Sequence, residues 1–159
     1  MYHPNGQLQF HAFYLDDKLH GIIKTYYDNG QLKRQDIYEY DVFVSGNCYT
    51  KSGADTTHFP YSIDPHFPGG EYEMNKFIAS KIRYPEMSKE MGNNGTVYVK
   101  FSVEADGSIS NVTILRGVDE QIDREAMRVI KMMPNWVPGC VDGKVCVIRF
   151  VLPIKFYLN

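Results

Sequence analysis

The sequence predicts an α+β chain. A small antiparallel three-stranded sheet with two helices on one face follows an all-β region of hairpin repeats. Three observations carry this. Tyr2-His3-Pro4-Asn5-Gly6-Gln7-Leu8 returns 24 residues later as Tyr26-Tyr27-Asp28-Asn29-Gly30-Gln31-Leu32. Val97, Val99, Phe101 and Val103 alternate with Tyr98, Lys100 and Ser102, the period of a half-buried strand. Two helical stripes flank that strand: Met74, Phe77, Ile78, Ile82, and Ile122, Ala126, Val129, Ile130, Met133.

In the repeat region, Asn-Gly marks a hairpin turn, because both central residues of a tight type I′ turn need φ > 0. Each unit reads as strand, turn, strand, and such a unit must stack on a neighbour to bury a face. Tyr38 repeats Tyr14, and Gly46–Gly53 reads as a partial third unit. The Tyr and Phe of the repeats are expected to form a thin core. The first unit begins at its turn, which suggests that the chain was cut from a longer precursor.

Pro60, Pro65, Pro68, Gly69 and Gly70 mark a seam, so the regions are expected at 1–66 and 67–159. Residues 1–68 hold 5 Lys/Arg against 8 Asp/Glu, and residues 69–159 hold 12 against 11. The first helix must stop by Tyr84, because Pro85 disfavours helix before it. Asp106-Gly107 turns the alternating strand into a second, about Ser108–Leu115. Asp119 caps the next helix, with Glu120 and Asp123 in its first turn, Arg128 and Lys131 in its last, and Pro134 beyond.

Val145–Phe156 alternates throughout and reads as one long strand. Pro153 inside it cannot donate to a ladder, so the strand belongs at an edge. Backbone N–H groups alternate between lateral edges as side chains alternate between faces. The open edge is therefore lined by Val145, Val147, Arg149 and Val151, which share Pro153's parity.

The net charge of −2 excludes a general polyanion binder, and no nucleic-acid partner is expected. No apolar run reaches the ~20 residues of a membrane span. The five His lack metal-ligand spacing, and no phosphate loop, nucleophile elbow or cofactor motif is present, so neither catalysis, a metal nor a cofactor is expected. An enzyme would need a perturbed carboxylate or His in a pocket. If Asp142-Gly143-Lys144 is a three-residue loop, Cys140 lies opposite Cys146. The shortness of the loop and the geometry of opposed pairs argue against a bridge.

In order along the second region stand Phe67-Pro68-Gly69-Gly70, Tyr84-Pro85, Gly95-Thr96-Val97, Asp106-Gly107-Ser108, Leu115-Arg116-Gly117, Asp123-x-Glu125-Ala126, Met133-Pro134-x-Trp136-x-Pro138-Gly139 and Phe150-x-x-Pro153-Ile154. This series resembles the C-terminal domain of the energy transducer TonB family. The repeats resemble MORN-type repeats, and the Phe-Pro-Gly-Gly entry resembles the variant of Bacteroidetes-type envelopes.

The resemblance implies a periplasmic domain that supports energy-coupled nutrient import. It would pair the TonB box of an outer-membrane TonB-dependent receptor with its last strand. It also implies contacts to that peptide from Lys81, Arg83 and Tyr84. Inner-membrane motor proteins would be reached through a membrane anchor, which this sequence lacks. Either the anchor was removed or this relative binds without transducing. The alternative is an envelope scaffold whose open edge forms a homodimer. Trp136, Pro138 and Gly139 are expected to shape the loop before the last strand rather than to bind.

Overall fold

The computed structural model describes residues 1–158 and contains two compact units, Met1–Pro60 and a second beginning at Tyr61. The segment Tyr61–His66, assigned to the repeats on sequence, belongs to the second unit. There Ile63 is in register with Cys140, and the His66 N–H donates to the Val137 carbonyl at 3.1 Å.

The first unit has seven strands: β1 (Phe10–His11), β2 (Tyr14–Leu15), β3 (Lys18–Leu19), β4 (Gly21–Tyr26), β5 (Leu32–Glu39), β6 (Val42–Tyr49) and β7 (Asp55–Thr56). β1-β4-β5-β6-β7 form one antiparallel sheet, with β2 and β3 a separate hairpin. The repeat is a stack of turns. His3–Gln7, Tyr27–Gln31 and Thr50–Ala54 each close with the same two backbone hydrogen bonds, 2.8 and 2.9 Å long. In each, only the glycine (Gly6, Gly30, Gly53) takes positive φ. These are therefore not the type I′ turns expected from Asn-Gly, which need two positive φ values. Asn5 and Asn29 instead accept the N–H two residues on, and donate to the next rung at Asp28 and Lys51 carbonyls. Ser52 stands where a third Asn would be, so the third unit is real but faint in sequence.

The Tyr and Phe do not form the core of this unit. Tyr2, Phe13, Tyr14, Tyr40 and Phe43 are exposed. Buried instead are Ile23, Thr25, Cys48 and the ion pair of Arg34 with Asp36, both 0% exposed. Arg34 Nη1 donates to Asp36 at 2.7 Å and Nη2 to the Phe59 carbonyl at 2.9 Å; His58 Nε2 lies 3.0 Å from the other Asp36 oxygen. A buried pair persists when hydrogen bonds satisfy its remaining valences, as here.

The second unit runs β8 (Ser62–Ile63), α1 (Gly70–Lys81), α2 (Glu86–Glu90), β9 (Gly95–Val103), β10 (Ile109–Arg116), α3 (Glu120–Lys131), β11 (Cys140–Val141), β12 (Lys144–Val145) and β13 (Ile148–Phe156). The main sheet has the order β10-β9-β13, all antiparallel. Val97, Val99, Phe101 and Val103 on β9 are fully buried with Ile122, Ala126 and Ile130 of α3, and Met74 of α1 packs into the same core. α3 starts at Asp119, whose carboxylate accepts N–H from Gln121 and Ile122 at 2.9 and 2.8 Å. The same carboxylate takes Ser88 Oγ and Asn93 Nδ2, tying α2 and its following turn to α3. Burial pushes this carboxyl up, but those four donors outweigh it and hold the group below the usual range. The short α2 was not expected: five residues cannot display a helical period.

The long strand expected over Val145–Phe156 is two elements. Val145 pairs with Cys140 in a separate small sheet ordered β12-β11-β8, and the ladder to β9 begins only at Ile148. The chain breaks between them because the Cys146 N–H turns back to the Gly139 carbonyl at 3.2 Å. The β11–β12 turn has two residues, Asp142 and Gly143, with φ of 50° and 73°, a type I′ hairpin. Cys140 therefore stands opposite Val145 rather than Cys146, and both cysteines are free thiols.

Candidate functional site: the open edge of the last strand

β13 pairs with β9 on one side and with no other described strand. Its register runs without a shift from Ile148↔Val103 to Phe156↔Gly95. Pro153 decides which way its backbone groups point. Opposed residues of an antiparallel ladder either exchange both N–H···O bonds or exchange none. Pro153 has no N–H to exchange, so Pro153↔Tyr98 is a non-hydrogen-bonded pair. By alternation Phe150, Leu152 and Ile154 bond to β9. Arg149, Val151, Pro153 and Lys155 then turn their backbone groups to the open side.

Burial follows the same parity. Leu152, Ile154 and Phe156 are buried, whereas Arg149, Val151, Pro153 and Lys155 are exposed. Of the edge residues expected from sequence, Arg149 and Val151 lie on the open edge. Val147 precedes the ladder, and Val145 belongs to the other sheet.

A groove of about 730 Å³ runs along this edge. Met74, Asn75 and Ile78 of α1, with Ile82 just after it, line one side and Phe150–Lys155 the other. Trp136 lines it too, held edge-on to Phe101 and Phe150 at centroid distances of 5.4 and 5.3 Å. α1 is thus the part of the site that sequence reasoning missed. Its residues stand some seventy positions before β13, and their stripe signalled only a core helix.

Lys81, Arg83 and Tyr84 do not line the groove. The Lys81 carbonyl accepts from Arg128 Nη2, and the Arg83 N–H donates to Glu125, both at 2.7 Å. Burial raises the Glu125 carboxyl, but Arg128 and the Arg83 N–H more than reverse that and leave it lowered. The Tyr84 hydroxyl donates to the Asn93 carbonyl, and its ring lies edge-on to Phe156 at 5.9 Å. These contacts fasten the end of α1 to α3 and to β13. Trp136 is 3% exposed, and its backbone N–H donates to Gly107 at 2.8 Å. A Cβ on Gly139 would meet Ile148 Cδ1 at 2.3 Å. Both residues shape the approach to β13.

Residues 80–158 match the family model of the Gram-negative bacterial TonB protein C-terminal domain. The second region is a TonB C-terminal domain. Residues 1–16 and 19–40 match the MORN repeat variant. The TonB C-terminal family is one of interaction and transducer domains, not of enzymes. Protein TonB of Helicobacter pylori strain ATCC 700392 / 26695 is 32% identical over 83 residues, 52% of this chain and 28% of the relative. Protein TonB of strain J99 is 32% identical over 62 residues, 38% and 22% of the two. The chain thus spans about a quarter of the length of these curated relatives. An NMR solution structure of Helicobacter pylori TonB-CTD aligns with a TM-score of 0.44 at 25% identity, covering 58% of this chain and 87% of the other. None of the described helices is long and apolar enough to cross a membrane.

Proposed function

We propose that this chain is the receptor-capturing part of a TonB-type energy transducer of the periplasm, anchored to the membrane in its full-length form. Its TonB C-terminal domain takes the TonB box of an outer-membrane receptor as a fourth strand on β13. The observation that supports this most is the Pro153 parity, which leaves the backbone of Arg149, Val151, Pro153 and Lys155 unpaired beside an apolar groove. Such an edge supplies main-chain hydrogen bonds for affinity and pockets for alternate side chains. Lys81, Arg83 and Tyr84 act by holding α1, the groove's second wall, rather than by touching the peptide.

Proline substitution tests this. Val151→Pro removes an N–H from the open edge and should leave the melt near that of the parent while abolishing binding of a receptor TonB-box peptide. Leu152→Pro removes a ladder bond and a buried side chain, and should cost ~3 kcal/mol or more. Undiminished peptide binding by Val151→Pro would move the receptor site elsewhere. Dimers that persist when peptide is added would favour an envelope scaffold.

A further inference from the structure

The two sides of this edge differ in charge. On the groove side the inward residues of β13 are Phe150, Leu152 and Ile154, and Glu71 stands among the lining residues. On the opposite, solvent-facing side of the sheet the ladder brings cations together. Arg149 pairs with Ser102, Val151 with Lys100, Lys155 with Thr96, and Tyr98 joins Pro153 to Arg116. Lys100, Arg116, Arg149 and Lys155 are all exposed, and none joins an ion pair among the described residues. Glu104, the residue after β9, accepts from Ser110 Oγ on β10 and is in no ion pair with these cations among the described residues. Four unpaired cations on one small face stand out in a chain whose net charge is −2.

A strand added to β13 places every second side chain beside Phe150, Leu152 and Ile154, and the others beside Arg149, Val151, Pro153 and Lys155. We infer that the captured segment is two-faced: apolar at the three inward positions, with carboxylates at the outward positions opposite Arg149 and Lys155. The inference rests on the capture proposed above and adds the chemistry of its partner. Arg149 and Lys155 are six residues apart, so the matching pattern is acid, apolar, polar, apolar, polar, apolar, acid. It is the same in both directions, so the pattern holds whether the guest runs parallel or antiparallel to β13.

The test uses the whole chain and three fluorescent peptides in Gly-Ser flanks. Their centres are Glu-Val-Thr-Val-Thr-Val-Glu, the same with Lys for Glu, and the same with Thr for Val. By anisotropy at low salt, the first should bind about tenfold more tightly than the second, the scale of two cross-strand charge pairs. The preference should shrink toward none near 0.5 M salt, where exposed charges are screened. Arg149→Glu combined with Lys155→Glu changes only exposed side chains and should reverse the order. The all-Thr peptide should bind least. Equal binding of the Glu and Lys peptides, or no reversal in the double variant, would overturn the charged half of the inference while capture stands. Equal binding of the Val and Thr peptides would overturn the apolar half. No binding of any of the three would overturn the capture reading itself.

Discussion

The Asp36 carboxylate rests on Gly46: a Cβ added there would lie 2.0 Å from Asp36 Oδ1. The two are paired across β5 and β6, so the absence of a side chain at Gly46 makes room for the buried Arg34–Asp36 pair. Gly46→Ala should displace the carboxylate from Arg34 and His58 and leave a buried charge unsatisfied. A loss of about 3 kcal/mol is expected, the scale of breaking a buried pair from one side. Urea unfolding followed through the first unit measures it. Wild-type stability in Gly46→Ala would mean that the pair contributes nothing.

Asp119 joins α2, the turn after it and the first turn of α3 through one carboxylate. Asp119→Ala should cost about 1–2 kcal/mol, the range of a helix cap. Because the folded group titrates below its ordinary value of 3.8, its contribution is present above that value. It is lost as pH falls through the lower folded pKa. The melting difference between parent and Asp119→Ala should therefore be constant from pH 7 to 5 and narrow below about pH 4. A difference that grows toward acid would contradict the assignment.

The two units should fold separately. A fragment starting at Tyr61 keeps β8, the His66–Val137 bridge and Phe67, and should show a cooperative melt by circular dichroism. A fragment starting at Gly70 loses all three and should melt at a lower temperature. Equal melts would mean that residues 61–69 do not stabilise the second unit.

The cysteines should remain thiols. Cys140 faces Val145 across a two-residue turn, and Cys146 lies beyond that pair. Thiol titration of the air-exposed, denatured protein should count three. A count of one would indicate a bridge.

What could be read in the sequence was whatever depends on near neighbours. The alternation of Val97 to Val103, the Asp119 cap and the single Pro153 marked the strand, the helix and the edge. The turn glycines were also visible, though not the turn type, because a lone Gly in the left-handed region suffices once Asn accepts the N–H two residues on. Contacts between distant segments were hidden. The pattern of Val145 to Phe156 alternates without interruption, so nothing local shows Val145 leaving for Cys140. Arg34 and Asp36 look like solvated charges until His58, Phe59 and Gly46 close over them. The groove needs α1 beside β13, and no local spacing encodes that.

Amide hydrogen exchange reads the open edge of β13 residue by residue. In the free protein the N–H groups of Phe150, Leu152 and Ile154 should exchange slowly, and those of Arg149, Val151 and Lys155 fast. A receptor peptide that binds should protect the second set and leave the first unchanged. Slow exchange of Arg149 and Val151 in the free monomer, or fast exchange that persists with peptide bound, would contradict it.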